Sequence, residues 1–325
     1  MTDPSVEEFL LRSGLARELD DAQLDELRTL LGDVTSLARA GGGVRDLAVA
    51  SRSMRELLDA ARVFSPWHDR PKLTVFGSAR VAPGCALYEQ ARHLAAEMVA
   101  RGWMVVTGAG PGIMAAASEG AGRDGALGVN ITLPFEQSPN PYVDADSRLV
   151  EMKYFFTRKV ALTKESRAFA FFPGGIGTMD EAFEILTLIH TGKTTPAPLV
   201  LVDQPGGEYW TRWWEFMRDA VIHGGYLEAD AARLVAFCHD VDGARAAIEH
   251  FYRHFRDVRR GDGRATIDLD RPLRPDEVDR LRDVVPAFAA GEGFVVGPGA
   301  SVTFDFDGRR FVELRRLIDA INDLD

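Results

Sequence analysis

At 325 residues and 46% hydrophobic side chains, the chain can bury a large core in one to three domains and has the composition of an ordinary soluble globular protein. Its 38 Lys and Arg against 49 Asp and Glu leave a net charge of −11, which argues against nucleic acid or an anionic membrane as a partner. Cys85 and Cys238 are the only cysteines, so neither a disulfide framework nor a clustered-thiolate metal site is expected.

In chain order, the acidic opening MTDPSVEEFLLRSG lacks the basic and apolar pattern of a signal peptide, and no apolar stretch is long enough to span a membrane. A cytoplasmic location is therefore expected. Residues 1–66 read as a helical extension: Leu24, Leu27, Leu30 and Leu31 share a face, Gly41-Gly42-Gly43 interrupts it, and Met54, Leu57, Leu58 and Val63 define another helix. No chemistry is evident there. Ser65-Pro66-Trp67 marks a boundary, after which Leu73–Phe76 reads as a strand ending in Gly77-Ser78-Ala79-Arg80. A helix over Leu87–Ala100, a strand over Trp103–Thr107 and the loop Gly108-Ala109-Gly110-Pro111-Gly112-Ile113-Met114 follow, with a small-residue helix through Ala121. This succession predicts an α/β domain with a Rossmann-like parallel sheet and helices on both faces. The glycine spacing departs from G-x-G-x-x-G and follows the second strand, so it fits a structural turn as well as a phosphate loop.

Gly128–Leu133 reads as the next strand, and the proline-rich 134–141 as a loop over a ligand crevice. Residues 151–159 open a helix running to about Ser166, with the basic pair Arg158–Lys159 suited either to a solvated face or to an anion. The stretch around which the chain is organised comes next. Phe169–Phe172 is a buried strand, Pro173 stops it, and Gly174, Gly175 and Gly177 lead into a helix from Thr178 to His190. Unpaired N–H groups and the helix dipole suit a phosphate there, while Asp180 and Glu181 would repel one placed directly against them. A phosphate on the loop amides with a carboxylate one sugar's width away satisfies both, which points to a nucleoside monophosphate.

Leu199–Asp203 is a further strand, and the aromatic run Tyr209–Phe216 reads as a helix packing a core or an interface. His250 and His254 lack the H-E-x-x-H arrangement, so no metal is expected. After Arg256 a basic, glycine-containing break at 257–263 leads into a small α+β appendage: strands at 266–269, 293–296 and 302–306, helices at 276–284 and 311–321. Asp305 and Asp307 alternate with Phe304 and Phe306 and so form a solvent face. The expected organisation is 1–66, a nucleotide-binding domain over 67–256, and 257–325.

Pro173-Gly174-Gly175-Ile176-Gly177-Thr178-Met179-Asp180-Glu181 resembles the P-G-G-x-G-T-x-x-E signature of the Lonely Guy (LOG) family. Residues 108–114 are similar to that family's G-G-G-x-x-G-L-M segment, Gly77-Ser78 to its first strand end, and Phe156-Thr157-Arg158-Lys159 to its M-H-x-R-K segment. The resemblance covers roughly residues 72–235. It implies a Rossmann-like phosphoribohydrolase, a dimer or larger homo-oligomer, acting on a nucleoside 5′-monophosphate such as AMP or a cytokinin riboside monophosphate, with no cofactor and no metal. It also implies Arg158 and Glu181 as the catalytic pair, with Ser78, Gly110, Lys159, Gly174, Gly175, Gly177 and Thr178 binding substrate. Phe155 and Phe156 stand where plant-type members have Met-His, so the preferred base stays open. A non-catalytic nucleotide sensor is the alternative. The family's older "lysine decarboxylase" label would need a pyridoxal phosphate lysine, and nothing around Lys72, Lys153, Lys159, Lys164 or Lys193 has that character.

Overall fold

The computed structural model describes residues 4–41, 43–133, 138–143, 147–289, 294–297 and 299–325. Part of the expected crevice loop (134–137), together with Gly42 and Gly293, lies outside these. Residues 1–58 and 59–325 form two compact units. The first carries α1 (Pro4–Ser13), α2 (Asp21–Arg39) and most of α3 (Val44–Phe64). Helix α2 starts at a capping box, in which Asp20 accepts from Gln23 N and the Gln23 side chain returns to Asp20 N. Among the described residues no helix is long and apolar enough to cross a membrane.

The second unit opens with β1 (Lys72–Phe76), α4 (Ala86–Ala100), β2 (Met104–Thr107), α5 (Ile113–Gly125), β3 (Ala126–Ile131) and β4 (Leu149–Met152). It continues with α6 (Phe155–Lys164), β5 (Ala168–Phe171), α7 (Ile176–His190), β6 (Leu199–Val202), α8 (Tyr209–Phe216), β7 (Ala236–Cys238) and α9 (Val241–Phe251). The strands form one seven-stranded parallel sheet in the order β4-β3-β2-β1-β5-β6-β7. Helices cover both faces, so the central strands are unbroken apolar runs rather than alternating ones. Phe76, Val106, Phe169 and Phe171 pack one face with Ile185 and Trp210, while Val75, Val105 and Ala170 pack the other with Leu94, Ala116 and Ile248. The order runs one way from β1 through β4 and the other from β5 through β7. The switch between β1 and β5 is where such sheets open a ligand crevice.

Two strands of this sheet were not apparent in the sequence. Both are short edges: β4 continues into the segment read as helical, and β7 is only three residues long. The 257–263 segment is also different from expectation. It belongs to β8 (Phe255–Gly261), paired antiparallel with β9 (Arg264–Leu269) through a turn in which Asp262 and Gly263 both have positive φ. With α10 (Pro275–Val284), α11 (Pro286–Ala289), β10 (Val295–Val296), β11 (Ser301–Asp305) and α12 (Phe311–Asn322), these make a four-stranded antiparallel sheet ordered β10-β11-β9-β8. Phe304 and Phe306 are buried and Asp305 and Asp307 exposed. Helix α12 joins the two sheets of this unit: Leu314, Leu317 and Ile318 fill the small core, while Val312 packs into the core of the large one. His254 lies beyond the end of α9, its ring bonded to Asp270 (3.0 Å) and to the Leu324 carbonyl (3.2 Å).

Candidate active site

The loops that follow β1, β2 and β5 meet at Ser78. Its N–H donates to the Pro173 carbonyl (3.1 Å), and its carbonyl accepts from Ile113 N (3.0 Å) at the start of α5. That approach requires Gly112, which has φ +66° and whose Cβ, were there one, would lie 2.3 Å from the Ser78 carbonyl oxygen. The cleft these loops enclose has a volume of about 840 Å³.

Helix α7 begins at Ile176 with no side chain capping it, so its first N–H groups remain available at the cleft floor, where Gly174, Gly175, Gly177 and Thr178 all lie. Gly174 lets the loop close against the helix: a Cβ there would sit 2.1 Å from Thr178 Oγ1. The loop is also held from behind. Tyr209 Oη donates to the Gly174 carbonyl (2.6 Å), and the buried Asp203 carboxylate accepts from Tyr209 N (2.7 Å) and Gln204 N (2.9 Å), fixing the start of α8.

Arg158 enters the cleft from the first turn of α6. Its Nε donates to the Val129 carbonyl (3.0 Å) and its Nη2 to the Gly108 carbonyl (3.3 Å). A guanidinium has five N–H donors, so three stay available to a ligand, and neutral acceptors leave its charge uncancelled. Glu181 lies one turn into α7 and is only 9% exposed, its Oε2 3.9 Å from where a Cβ of Gly177 would be. Burial raises its carboxyl pKa, an effect that Arg158 opposes; burial likewise lowers the Arg158 pKa, against the pull of Glu181. Among the described residues the two form no ion pair with each other. The site thus holds a buried acid and a backbone-anchored cation across an uncapped helix start.

Of the residues singled out in the sequence, Ser78, Arg158, Gly174, Gly175, Gly177, Thr178 and Glu181 line this cleft. Gly110 and Lys159 do not. Gly110 is buried behind the wall, its carbonyl accepting from Asn140 Nδ2 (3.1 Å), and Lys159 Nζ bridges Asp180 (2.9 Å) and Glu184 (2.7 Å) on α7. Two contributors were missed. Arg80 lines the mouth and was legible as a cation at the C-terminal end of β1. Tyr209 had no local signal, because its role depends on β6 and α8 lying beside β5. Among the described residues no group of three His, Cys, Asp or Glu side chains could hold a metal ion.

Residues 112–248 match the family described as "Possible lysine decarboxylase". The cytokinin riboside 5′-monophosphate phosphoribohydrolase of Mycobacterium tuberculosis is 31% identical over 185 residues, which are 54% of this chain and 96% of that protein. The enzyme of the same name from Rhodococcoides fascians is 34% identical over 91 residues, 28% of this chain and 44% of the relative, so that match spans less than half of it. A solved structural-genomics target, TM1055, is 25% identical with a TM-score of 0.40, over 55% of this chain and 98% of that one. The near-complete span of the mycobacterial relative, laid over the sheet and glycine loops described above, establishes that the chain belongs to the Lonely Guy family.

Proposed function

We propose that the protein hydrolyses the N-glycosidic bond of a purine nucleoside 5′-monophosphate, AMP or an N6-substituted AMP, releasing free base and ribose 5-phosphate. One observation carries this reading: an uncapped helix start and, one turn further on, a buried carboxylate face the same cleft. The phosphate sits on the amides at 174–178, which puts the ribose toward Glu181. The bond breaks through an oxocarbenium-like transition state. Its electron pair leaves with the base nitrogen, which takes up a proton, while a water oxygen bonds C1′ and its proton passes to the Glu181 carboxylate. That carboxylate also faces the cation developing at C1′. Arg158, fixed by two carbonyls, holds the phosphate or the departing base, and the half-exposed Phe155 offers the base an apolar wall. The names of the relatives support the reaction class.

A decarboxylase chemistry fits the residues poorly. Among the described residues no lysine lines the cleft, and Lys159 beside it is bound to two carboxylates. We extend the proposal to a homodimer, supported by exposed Phe155, Phe156 and Val160 on α6 and Phe183 on α7; light scattering at the mass of a monomer would remove that part. The central test is chromatographic. Purified protein incubated with AMP or N6-isopentenyl-AMP should release free base, and Glu181→Gln should lower kcat by on the order of a hundredfold or more, the scale for one positioned electrostatic group. Tight nucleotide binding with no base released would make this a nucleotide-binding protein without turnover.

A further inference from the structure

The same two central strands end, at their N-termini, in a second cleft of about 540 Å³ on the opposite edge of the sheet. Lys72 opens β1 there, and Arg167 immediately precedes β5, its N–H bonded to the Lys72 carbonyl (2.9 Å). Five basic side chains line the cleft, Arg70, Lys72, Lys164, Arg167 and Arg256, against three acids. A local positive excess is notable in a chain of net charge −11.

One of the three acids is matched by a cation. Glu165 pairs with Lys164 (3.5 Å), Asp69 lies against His68 (2.9 Å), and Asp257 accepts from Val258 N (2.8 Å). The cations at the centre are not matched in the same way. Lys72 is 1% exposed, and its ammonium donates to the carbonyls of Trp67 (2.8 Å) and Arg70 (3.1 Å), leaving its third N–H and all of its charge. Arg70 is likewise spent on the carbonyls of Gly102 (3.1 Å) and Trp103 (3.0 Å). Among the described residues the exposed Arg167 guanidinium has no hydrogen-bond or ion-pair partner; on Lys72, burial lowers the ammonium pKa, Glu165 and Asp69 oppose that, and Arg167 and Arg70 add to it as like charges. Lys72 and Arg167 thus put a buried ammonium and an unpaired guanidinium side by side, and an anion meeting both would relieve their mutual repulsion. The hydroxyls of Thr194 and Thr195 complete a polar rim.

We propose that this cleft is a second binding site, distinct from the catalytic one, that takes a small phosphate-bearing molecule through Lys72 and Arg167. Phosphate suits the fork of a guanidinium and the point charge of a lysine together. Either a sugar phosphate or free inorganic phosphate presents this chemistry. Three elements reach both clefts: β1 and β5 end in the catalytic loops, and α6 carries Arg158 at one end and Lys164 at the other.

Calorimetric titration of the full chain with ribose 5-phosphate, and separately with inorganic phosphate, tests the site. Gly175→Asp closes the catalytic loop to anions, and a Cβ at that position meets no atom within 4 Å, so the fold tolerates it. The Gly175→Asp protein should retain saturable phosphate binding, and adding Arg167→Gln should weaken it by about tenfold or more, as loss of a charge-assisted contact does. Tighter binding of ribose 5-phosphate identifies a sugar phosphate, and equal binding the bare oxyanion. Equal affinities with and without Arg167, or no saturable binding in Gly175→Asp, would overturn the proposal. Arg167→Gln alone should leave base release unchanged, which separates this site from the catalytic reading.

Discussion

Tyr209→Phe removes a single oxygen atom and tests whether the loop after Pro173, proposed to hold the phosphate, is positioned from behind. The hydroxyl donates to the Gly174 carbonyl at 2.6 Å from a half-buried ring, and that ring stays packed edge-on against Trp210 with centroids 4.9 Å apart. Packing is therefore kept and only the bond is lost. A neutral hydrogen bond of this kind contributes about 1 kcal/mol net, or roughly a fivefold change in an equilibrium constant. A phosphate on the loop is gripped alike in the ground and transition states, so the loss should fall on KM, with kcat nearly constant. Steady-state base release from AMP, with urea unfolding as a control for stability, reads both numbers. If KM stays within twofold of wild type, or if kcat falls tenfold at constant KM, Tyr209 does not position the loop.

Three further outcomes follow from the same geometry. Because burial holds the Glu181 pKa above its ordinary value, its contribution to stability is intact in acid and is lost as pH rises through the raised pKa. Glu181→Gln should accordingly unfold at higher urea than wild type at neutral pH, with the gap closing below the ordinary glutamate range; equal midpoints at neutral pH would contradict this. Gly112→Ala combines a left-handed φ of +66° with a 2.3 Å approach to the Ser78 carbonyl, so it should cost about 1–3 kcal/mol of stability, read by urea melts, and reduce base release as the Ser78 junction opens. Lys159→Met should cost about 1 kcal/mol or less for a partly exposed pair, yet raise KM severalfold in low salt, because Asp180 then faces the phosphate uncompensated. An unchanged KM in low salt would return Lys159 to a purely structural role.

The parts of the fold legible in the sequence were those where local pattern and buried position coincide. The runs at 73–76, 104–107, 169–172 and 199–202 are apolar because helices cover both faces of the sheet, and Gly174, directly after Pro173, stands where a Cβ would strike Thr178. Edge strands carry less of that signal. Strand β4 alternates exposed and buried residues over four positions, and β8 keeps only Phe255 and Val258 buried among its arginines, with a register shift between Phe255 and Asp257. Arginines on the open face of an edge strand look like a basic linker when read one residue at a time. The Asp262-Gly263 turn beside it was the available signal, since both residues adopt positive φ as a two-residue hairpin demands.

The neighbouring pair Arg158 and Lys159 shows why the site itself needed coordinates. Adjacent residues on a helix point about 100° apart, so one of the two had to leave the cleft, and nothing in the letters says which. The fold decides by the partners it offers. Inward, α6 meets the carbonyls of Val129, within β3, and Gly108, just past β2, which orient a guanidinium without cancelling its charge. Sideways it meets α7, whose Asp180 and Glu184 neutralise the ammonium. A cation held by carbonyls remains an attractor for an incoming anion, whereas one held by carboxylates has already met its counter-charge. By that criterion Arg158 is the one of the pair left able to attract an anion, and under the proposed function Lys159 would shield the phosphate from Asp180. The same criterion, applied at the other end of β1 and β5, separates Lys72 from the paired Lys164.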